Sequence, residues 1–158
     1  MIYLIHQNNK VIKVLDNALK EIAFDEEKSI TNALFDLSKQ FPEELIIWCD
    51  NKYFEYINSK ELPNIFHHKR VLASFNVSEI NYLPKQIGYV DLSVYIKVNK
   101  KVSYPTWLIS SDVGGLHAEV LNTVLKDFKT YSNFNYFINS LAKTTMPQGL
   151  FCYSSPNL

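Results

Sequence analysis

Residues 106–120 read TWLISSDVGGLHAEV, and this stretch joins a strand pattern to a helix pattern. The apolar run 106–109 predicts an inner strand, and the polar residues 110–112 predict its end. Two of the four glycines follow, and from Leu116 onward apolar side chains recur at helical spacing as far as residue 128. A strand that leads directly into a helix is typical of an α/β protein.

Patterns on both sides of this stretch extend the prediction to the whole chain. Continuous apolar runs predict inner strands, strict alternation predicts a strand with one solvent-facing side, and helical spacing predicts helices. Together they predict one α/β domain over residues 1–158, a three-layer sandwich with a mostly parallel, mixed sheet and an N-terminal β-hairpin. The further predicted elements are the hairpin over 1–15, a helix over 30–41 capped by Ser29, inner strands over 45–49 and 70–75, a weak helix over 52–59, an alternating strand over 90–98, a helix over 134–141 capped by Ser132, and a last strand over 149–153.

Composition excludes several classes of protein. The 16 basic and 16 acidic residues balance, and Arg70 is the only arginine, so bidentate recognition of phosphate is available at one position. We therefore expect no nucleic-acid partner. No window approaches the length of a membrane span, and the N-terminus lacks a signal-peptide pattern. Two cysteines, Cys49 and Cys152, form no disulfide framework, and they indicate a soluble, cytoplasmic protein.

The first candidate site lies in the opening stretch. Ligands collect at the carboxyl ends of strands in open α/β sheets, and a helix N-terminus offers free N–H groups to an anion. On this interpretation the glycines admit a phosphate or sugar, Asp112 accepts hydroxyl groups or holds a metal ion, and the histidine projects from the first helical turn. The alternative is a plain strand-to-helix turn, in which a hydroxyl or Asp112 caps the helix. The candidate ligand-binding residues are Ser111, Asp112, Gly114, Gly115 and His117.

Asp50 is the second carboxylate at the end of a predicted strand. It shares a cleft with Asp112 if their strands are neighbours, and otherwise it belongs to a turn. His6 and the pair His67-His68 have no partners at metal-ligand spacing, so we expect no metal site. Serine nucleophiles lack a G-x-S-x-G context, and the aromatic run 131–138 is typical of a helix core more than of a sugar-stacking platform.

Two further segments carry a resemblance to a known family. The segment WLISSDVGGLHA at 107–118 and the ending MPQGLFCYSSPNL at 146–158 resemble the N-terminal region of bacterial family-2 glycosyltransferases of the Bacteroidetes type. The opening residues 1–10 are similar as well. The resemblance covers about a third of the chain. It implies that this domain precedes a catalytic domain, and the apolar ending after the last strand predicts that the chain is the N-terminal part of a longer one.

One departure from that family shapes the functional prediction. Family-2 catalytic domains hold a divalent cation with an Asp-x-Asp motif, and these 158 residues contain none. The resemblance therefore implies an accessory domain that is inactive alone, needs no cofactor, and has the downstream catalytic domain as its partner. A divalent metal is expected only in that downstream domain. A nucleotide-sugar or a glycan acceptor is the implied ligand.

Two other hypotheses stay open. In the first, the chain is a small nucleotide-sugar-binding domain or enzyme that uses the strand-end carboxylates Asp50 and Asp112. In the second, it is a structural or interaction domain, in which Gly114 and Gly115 support stability and no binding. Turnover by the isolated chain, or its stabilisation by nucleotide sugars, distinguishes these hypotheses from that of an accessory domain.

Overall fold

The structure is a computed structural model that describes residues 1–80, 93, 95–124 and 131–158. Its elements alternate between strands and helices, as the sequence predicts. The strands are β1 (Ile2–Gln7), β2 (Lys10–Leu15), β3 (Leu45–Asp50), β4 (Val71–Phe75), β5 (Tyr104–Pro105), β6 (Val113–His117) and β7 (Phe151–Ser154). The helices are α1 (Ile30–Gln40), α2 (Leu62–Ile65), α3 (Ala118–Val124) and α4 (Phe134–Thr145), with 3-10 turns at Phe54–Tyr56 and Met146–Gln148.

The strands form one sheet in the order β2-β1-β3-β6-β4-β7-β5. The α/β class, the mixed sheet and the N-terminal hairpin are thereby confirmed. Among the described strands only β1–β3 and β4–β7 pair in parallel, so the expectation of mostly parallel pairing is wrong. The reason lies in β6, which the chain enters at the end of the sheet where β3 and β4 finish. A strand that starts there must run against both neighbours.

Local sequence explains how the hairpin and two of the helices begin. Asn8 and Asn9 both have positive φ, at 51° and 60°, which is the backbone of a type I′ turn. Ser29 caps α1 through a 3.3 Å bond from the Asn32 amide, as predicted. Asn133, not Ser132, caps α4, because its side chain accepts from the Tyr136 amide at 3.0 Å.

Apolar side chains cover both faces of the sheet. Successive residues of a strand point to opposite faces of the sheet. Leu4 and Trp48 therefore belong to one core cluster, while Ile5 and Ile47 belong to a second. The first cluster includes side chains of α1, α3 and α4. The second is covered by the short α2 and by the 3-10 turn at Phe54–Tyr56. The three-layer arrangement stays a prediction.

The predicted inner strand at 106–109 is wrong. Only the Thr106 amide bonds a neighbouring strand, through the Cys152 carbonyl of β7 at 3.1 Å, and side chains take up the Leu108 and Ile109 groups. The Asn139 side chain accepts from the Ile109 amide at 2.9 Å and donates to the Ile109 carbonyl at 2.8 Å. The Ser110 amide donates to Ser74 Oγ at 2.9 Å, and the Trp48 indole donates to the Ser110 carbonyl at 3.0 Å.

Three other predicted boundaries change. The weak helix at 52–59 shrinks to the 3-10 turn at Phe54–Tyr56. The predicted helix from Leu116 begins at Ala118, and its stretch 125–130 lies outside the described residues. Residues 90–92 and 94 of the predicted alternating strand at 90–98 also lie outside them, and residues 95–98 form no strand. Within the described residues, no helix has the length and apolar character needed to cross a bilayer.

Candidate functional site

Three titratable side chains meet at the end of the sheet where β1, β3 and β4 finish. His6 lies opposite Asp50 in the β1–β3 register, and the Asp50 amide donates to the Asp112 carbonyl at 2.7 Å. We call His6, Asp50 and Asp112 the strand-end cluster. Asp50 ends β3 and Asp112 directly precedes β6, the strand beside β3, and neighbouring strands are the condition under which the sequence predicts that the two carboxylates share a cleft.

Asp112 supports the local fold. It is 5 % exposed, and its Oδ2 accepts from the Ser78 amide at 2.7 Å. Its own amide donates to Ser110 Oγ at 3.1 Å. One carboxylate therefore ties the start of β6 to the segment that follows β4.

Asp50 is the more accessible of the two carboxylates. Its Oδ1 accepts from the Lys52 amide at 3.1 Å, in the manner of an Asx turn. Its Oδ2 lies 3.8 Å from Lys52 Nζ, and the Asp50 side chain is 16 % exposed. Asp50 thus belongs to a turn, which is one of the two alternatives that the sequence leaves open, and the cleft shared with Asp112 stays a prediction.

His6 is the member of this cluster that sequence reasoning did not assign. It is buried, and its Nε2 lies 2.8 Å from the Ser111 carbonyl, so Nε2 donates and carries the proton. Burial lowers the pKa of His6, against the opposing effects of the Ser111 bond and of the Asp50 and Asp112 charges. The signal available in the sequence is its place at the end of the first predicted strand.

The Cys49 thiol is unreactive despite its position beside the strand-end cluster. Burial, with the Asp50 and Asp112 charges, raises the pKa of its thiol to about 12. Since the thiolate is the reactive form, Cys49 is no nucleophile at neutral pH.

The glycines do not form a ligand-binding turn. Gly114 and Gly115 lie inside β6, between β3 and β4, where they pair with Trp48 and Ile47. A Cβ on Gly114 would lie 2.5 Å from Trp48 Cζ2 and 2.8 Å from the Ala73 carbonyl oxygen. The backbone therefore approaches side chains and neighbouring strands rather than a phosphate.

His117 lies at the opposite end of the sheet from Asp112. It pairs with Leu45 at the beginning of β3, and its Nε2 lies 3.2 Å from the Phe66 carbonyl. It is the last residue of β6 and does not belong to the first helical turn. Of the predicted candidates, the structure thus brings together Asp50, Asp112 and Ser111, and it separates the glycines and His117 from them.

A pocket of about 250 Å³ lies at the same end of the sheet as the strand-end cluster. Two of its lining residues are chain neighbours of that cluster's contacts: Val113 follows Asp112, and Val77 precedes Ser78, whose amide donates to Asp112. Lys52 Nζ lies 5.2 Å from the centre of the ring of Tyr53, another lining residue. The sequence patterns predict no function for residues 53–57, although two tyrosines there closely follow a strand-end carboxylate. The lining residues are Tyr53, Tyr56, Ile57, Val77, Val113 and Leu158.

Polar atoms of all three side chains in the strand-end cluster have partners within the chain. Each carboxylate already accepts a main-chain amide, and His6 donates with the nitrogen nearest the loop. Among the described residues no group of three or more His, Cys, Asp or Glu side chains could hold a metal ion. No protein-family model, curated protein or solved structure matches the chain.

Proposed function

We propose that the chain is an accessory α/β domain of a bacterial glycosyltransferase, inactive alone, which binds a saccharide ligand for a catalytic domain further along the same polypeptide. The observation that supports this proposal is the engagement of both strand-end carboxylates by backbone amides. The Asp112 carboxylate accepts from Ser78 and the Asp50 carboxylate accepts from Lys52. A general acid or base must instead reach the reacting atoms of a substrate.

The resemblance of residues 107–118 and 146–158 to glycosyltransferase N-terminal regions supports the same proposal. The carboxyl ends of strands are where α/β sheets bind ligands, and here that end carries a pocket beside a cluster of polar groups. The domain then contributes binding, while the chemistry belongs to its partner domain.

An activity assay on the isolated chain tests this proposal. The chain is incubated with a panel of UDP- and GDP-sugars, with and without Mn²⁺, and the released nucleotide and any glycosylated acceptor are quantified. We expect no turnover above a buffer blank under either condition. Robust transfer or hydrolysis that survives repurification would refute the accessory role.

The second candidate is a nucleotide-sugar-binding domain or enzyme that uses Asp50 and Asp112. The 2.7 Å bond from the Asp50 amide to the Asp112 carbonyl favours it, because this bond holds the two residues side by side. On this hypothesis a nucleotide sugar raises the melting temperature, since a ligand that binds only the folded state stabilises it.

Asp50→Asn is the informative variant for the second candidate. Asparagine retains an acceptor for the Lys52 amide but removes the charge, so the fold is kept while binding through the carboxylate is lost. Glu55→Gln, at an exposed site in the following turn, serves as the matched control. If no donor in the panel shifts the melting temperature of the native chain, this candidate is excluded.

A further inference from the structure

We infer that the groove between residues 23–28 and helix α1 binds a small organic ligand in which one ammonium group is joined to an apolar body. The groove has a volume of about 360 Å³. That volume lies within the range of about 300–1,000 Å³ in which proteins hold small molecules. The groove shares no residue with the strand-end cluster, so this inference is independent of the function proposed above.

The floor of the groove is apolar. Ala33 and Leu37 are buried residues one turn apart on α1, and Phe24 packs against the same core cluster from the segment before the helix. Phe24 is only partly buried, so part of its side chain is accessible from the groove. A ligand gains affinity on this floor by removing apolar surface from water. The body of the ligand is therefore a hydrocarbon or an aromatic ring.

Two carboxylates at the rim identify the head group of the ligand. Asp25 belongs to the segment before the helix, Asp36 belongs to α1, and both line the groove. Lys28, which also lines it, has its Nζ 2.7 Å from Asp36 Oδ2 and 3.8 Å from Asp25 Oδ2. The carboxylates of the two elements thus already bind one ammonium group between them. The position of Lys28 Nζ shows which head group this rim accepts.

The rim keeps the capacity for a second cation. An ionised carboxylate has about four lone-pair sites, and among the described residues only Lys28 bonds to the Asp36 side chain. The lining carries two carboxylates against this one ammonium group. Glu26 and Glu27 do not line the groove, but they follow Asp25 and are exposed, so they add negative charge beside it. This excess charge attracts an ammonium group and repels an anion.

Three probes that share one aromatic ring and differ in charge test this inference on the full chain. The probes are 2-phenylethylamine, 2-phenylethanol and phenylacetate, which are cationic, neutral and anionic at neutral pH. Each is titrated at low salt into ¹⁵N-labelled protein, and the amide shifts are followed by NMR. A ligand of about nine heavy atoms binds in the millimolar range. We expect the amine to shift amides of residues 23–28 and 33–40, the alcohol to bind about three-fold more weakly, and phenylacetate to shift none of them.

Two variants that change the charge of the rim should act in opposite directions. Asp36→Asn should weaken the binding of the amine about three-fold, the contribution of one exposed ion pair. Lys28→Gln should strengthen it about two-fold, because the competing ammonium group is removed. The matched controls are Glu55→Gln and Lys60→Gln, which make the same charge changes at exposed sites outside the groove and should leave the affinity unchanged.

Four results would overturn the inference. The amine could shift no amide of the groove, or the alcohol or phenylacetate could bind as tightly as the amine. Asp36→Asn could have no more effect than Glu55→Gln, or Lys28→Gln could fail to raise the affinity above that of Lys60→Gln. All four substitutions lie at exposed positions, and the NMR spectrum of each free variant shows that it is folded.

Discussion

Gly114 and Gly115 lie at the centre of β6, where there is no room for a Cβ atom. Neither glycine is needed there for an unusual backbone conformation. A Cβ at Gly114 would lie within 3 Å of the Trp48 ring and of the Ala73 carbonyl. At Gly115 it would lie 2.4 Å from Ile47 Cδ1 and 2.9 Å from the Ile46 carbonyl oxygen. We expect Gly114→Ala and Gly115→Ala each to lower the free energy of unfolding by about 3 kcal/mol through overpacking, as measured by urea denaturation.

Gly149→Ala provides the comparison for those variants. Gly149 has open space where a Cβ would lie, but its φ is 91°. We expect alanine there to cost about 1 kcal/mol from left-handed backbone strain alone. If Gly114→Ala proves as stable as the native chain, then β6 has room that the structure does not show.

His6 gives the protein a pH-dependent stability. Burial lowers its folded-state pKa below the unfolded value of 6.5, so the unfolded chain takes up a proton at a pH where the folded chain does not. The stabilising contribution is therefore present above pH 6.5 and is lost as the pH falls from 6.5 through the folded pKa. The slope for one proton is at most about 1.4 kcal/mol per pH unit.

We expect His6→Gln to remove this part of the pH dependence. Glutamine keeps a donor for the Ser111 carbonyl but does not titrate in this range. The urea midpoint of both proteins, followed between pH 7.5 and 5, measures the difference. Equal slopes for the two would show that His6 does not contribute.

The role of a single residue can be predicted from the sequence when its position in the chain determines that role. It cannot be predicted when the role depends on packing against residues that are distant in sequence. Asp50 and Asp112 are each placed at the end of a sheet element from the sequence, but whether their strands are neighbours stays open until the sheet order is known. The glycines are misread, because their role depends on Trp48 and Phe66, which are far away in sequence. His6 is missed because the parallel pairing of β1 with β3 is a tertiary fact.

At the level of elements, one side chain of α4 holds the segment that leads into β6. The Asn139 side chain accepts from the Ile109 amide and donates to the Ile109 carbonyl. It also donates to the Asn135 carbonyl at 2.9 Å. We expect Asn139→Leu to lower stability by about 2–4 kcal/mol, because both Ile109 groups are left buried and unpaired. Lys143→Ala, at an exposed site of the same helix, should change stability by less than about 0.5 kcal/mol.

Hydrogen exchange supplies a more specific measure of the Asn139 contact. The Ile109 amide should be protected in the native chain and should lose much of that protection in Asn139→Leu, while amides in β1 keep theirs. Uniform loss of protection would indicate global destabilisation instead of release of this segment.

Helices and strands with regular neighbours are predicted well from the sequence. The periodicity of α1 and α4, the polar turn of the hairpin and the apolar runs of β3 and β4 each reflect local chemistry. The stretch 106–109 has the same apolar character but no ladder partner along most of its length. Side chains bond the backbone there instead: Thr106 Oγ1 accepts from the Leu108 amide, and Asn139 bonds both the amide and the carbonyl of Ile109, an arrangement that no sequence period encodes.

At the scale of the whole molecule, the two free cysteines report on opening of the core. Cys49 and Cys152 are both buried, and burial raises the pKa of each thiol to about 12. We expect neither to react with a thiol-specific reagent in the native protein at pH 8, and both to react at once in denaturant. Fast labelling of one cysteine under native conditions would show a local opening around it.

The position of β6 also bears on how the protein is synthesised. Within the described chain, β6 alone joins β2-β1-β3 to β4-β7-β5. About 40 residues separate the end of β4 from the start of β6. At about 5–20 residues per second, a ribosome needs about 2–8 s to make them. During that interval β6 has not been made, so the edges of β3 and β4 that it later pairs with have no partner. The nascent chain then exposes two apolar strand edges that a chaperone or another nascent chain can bind.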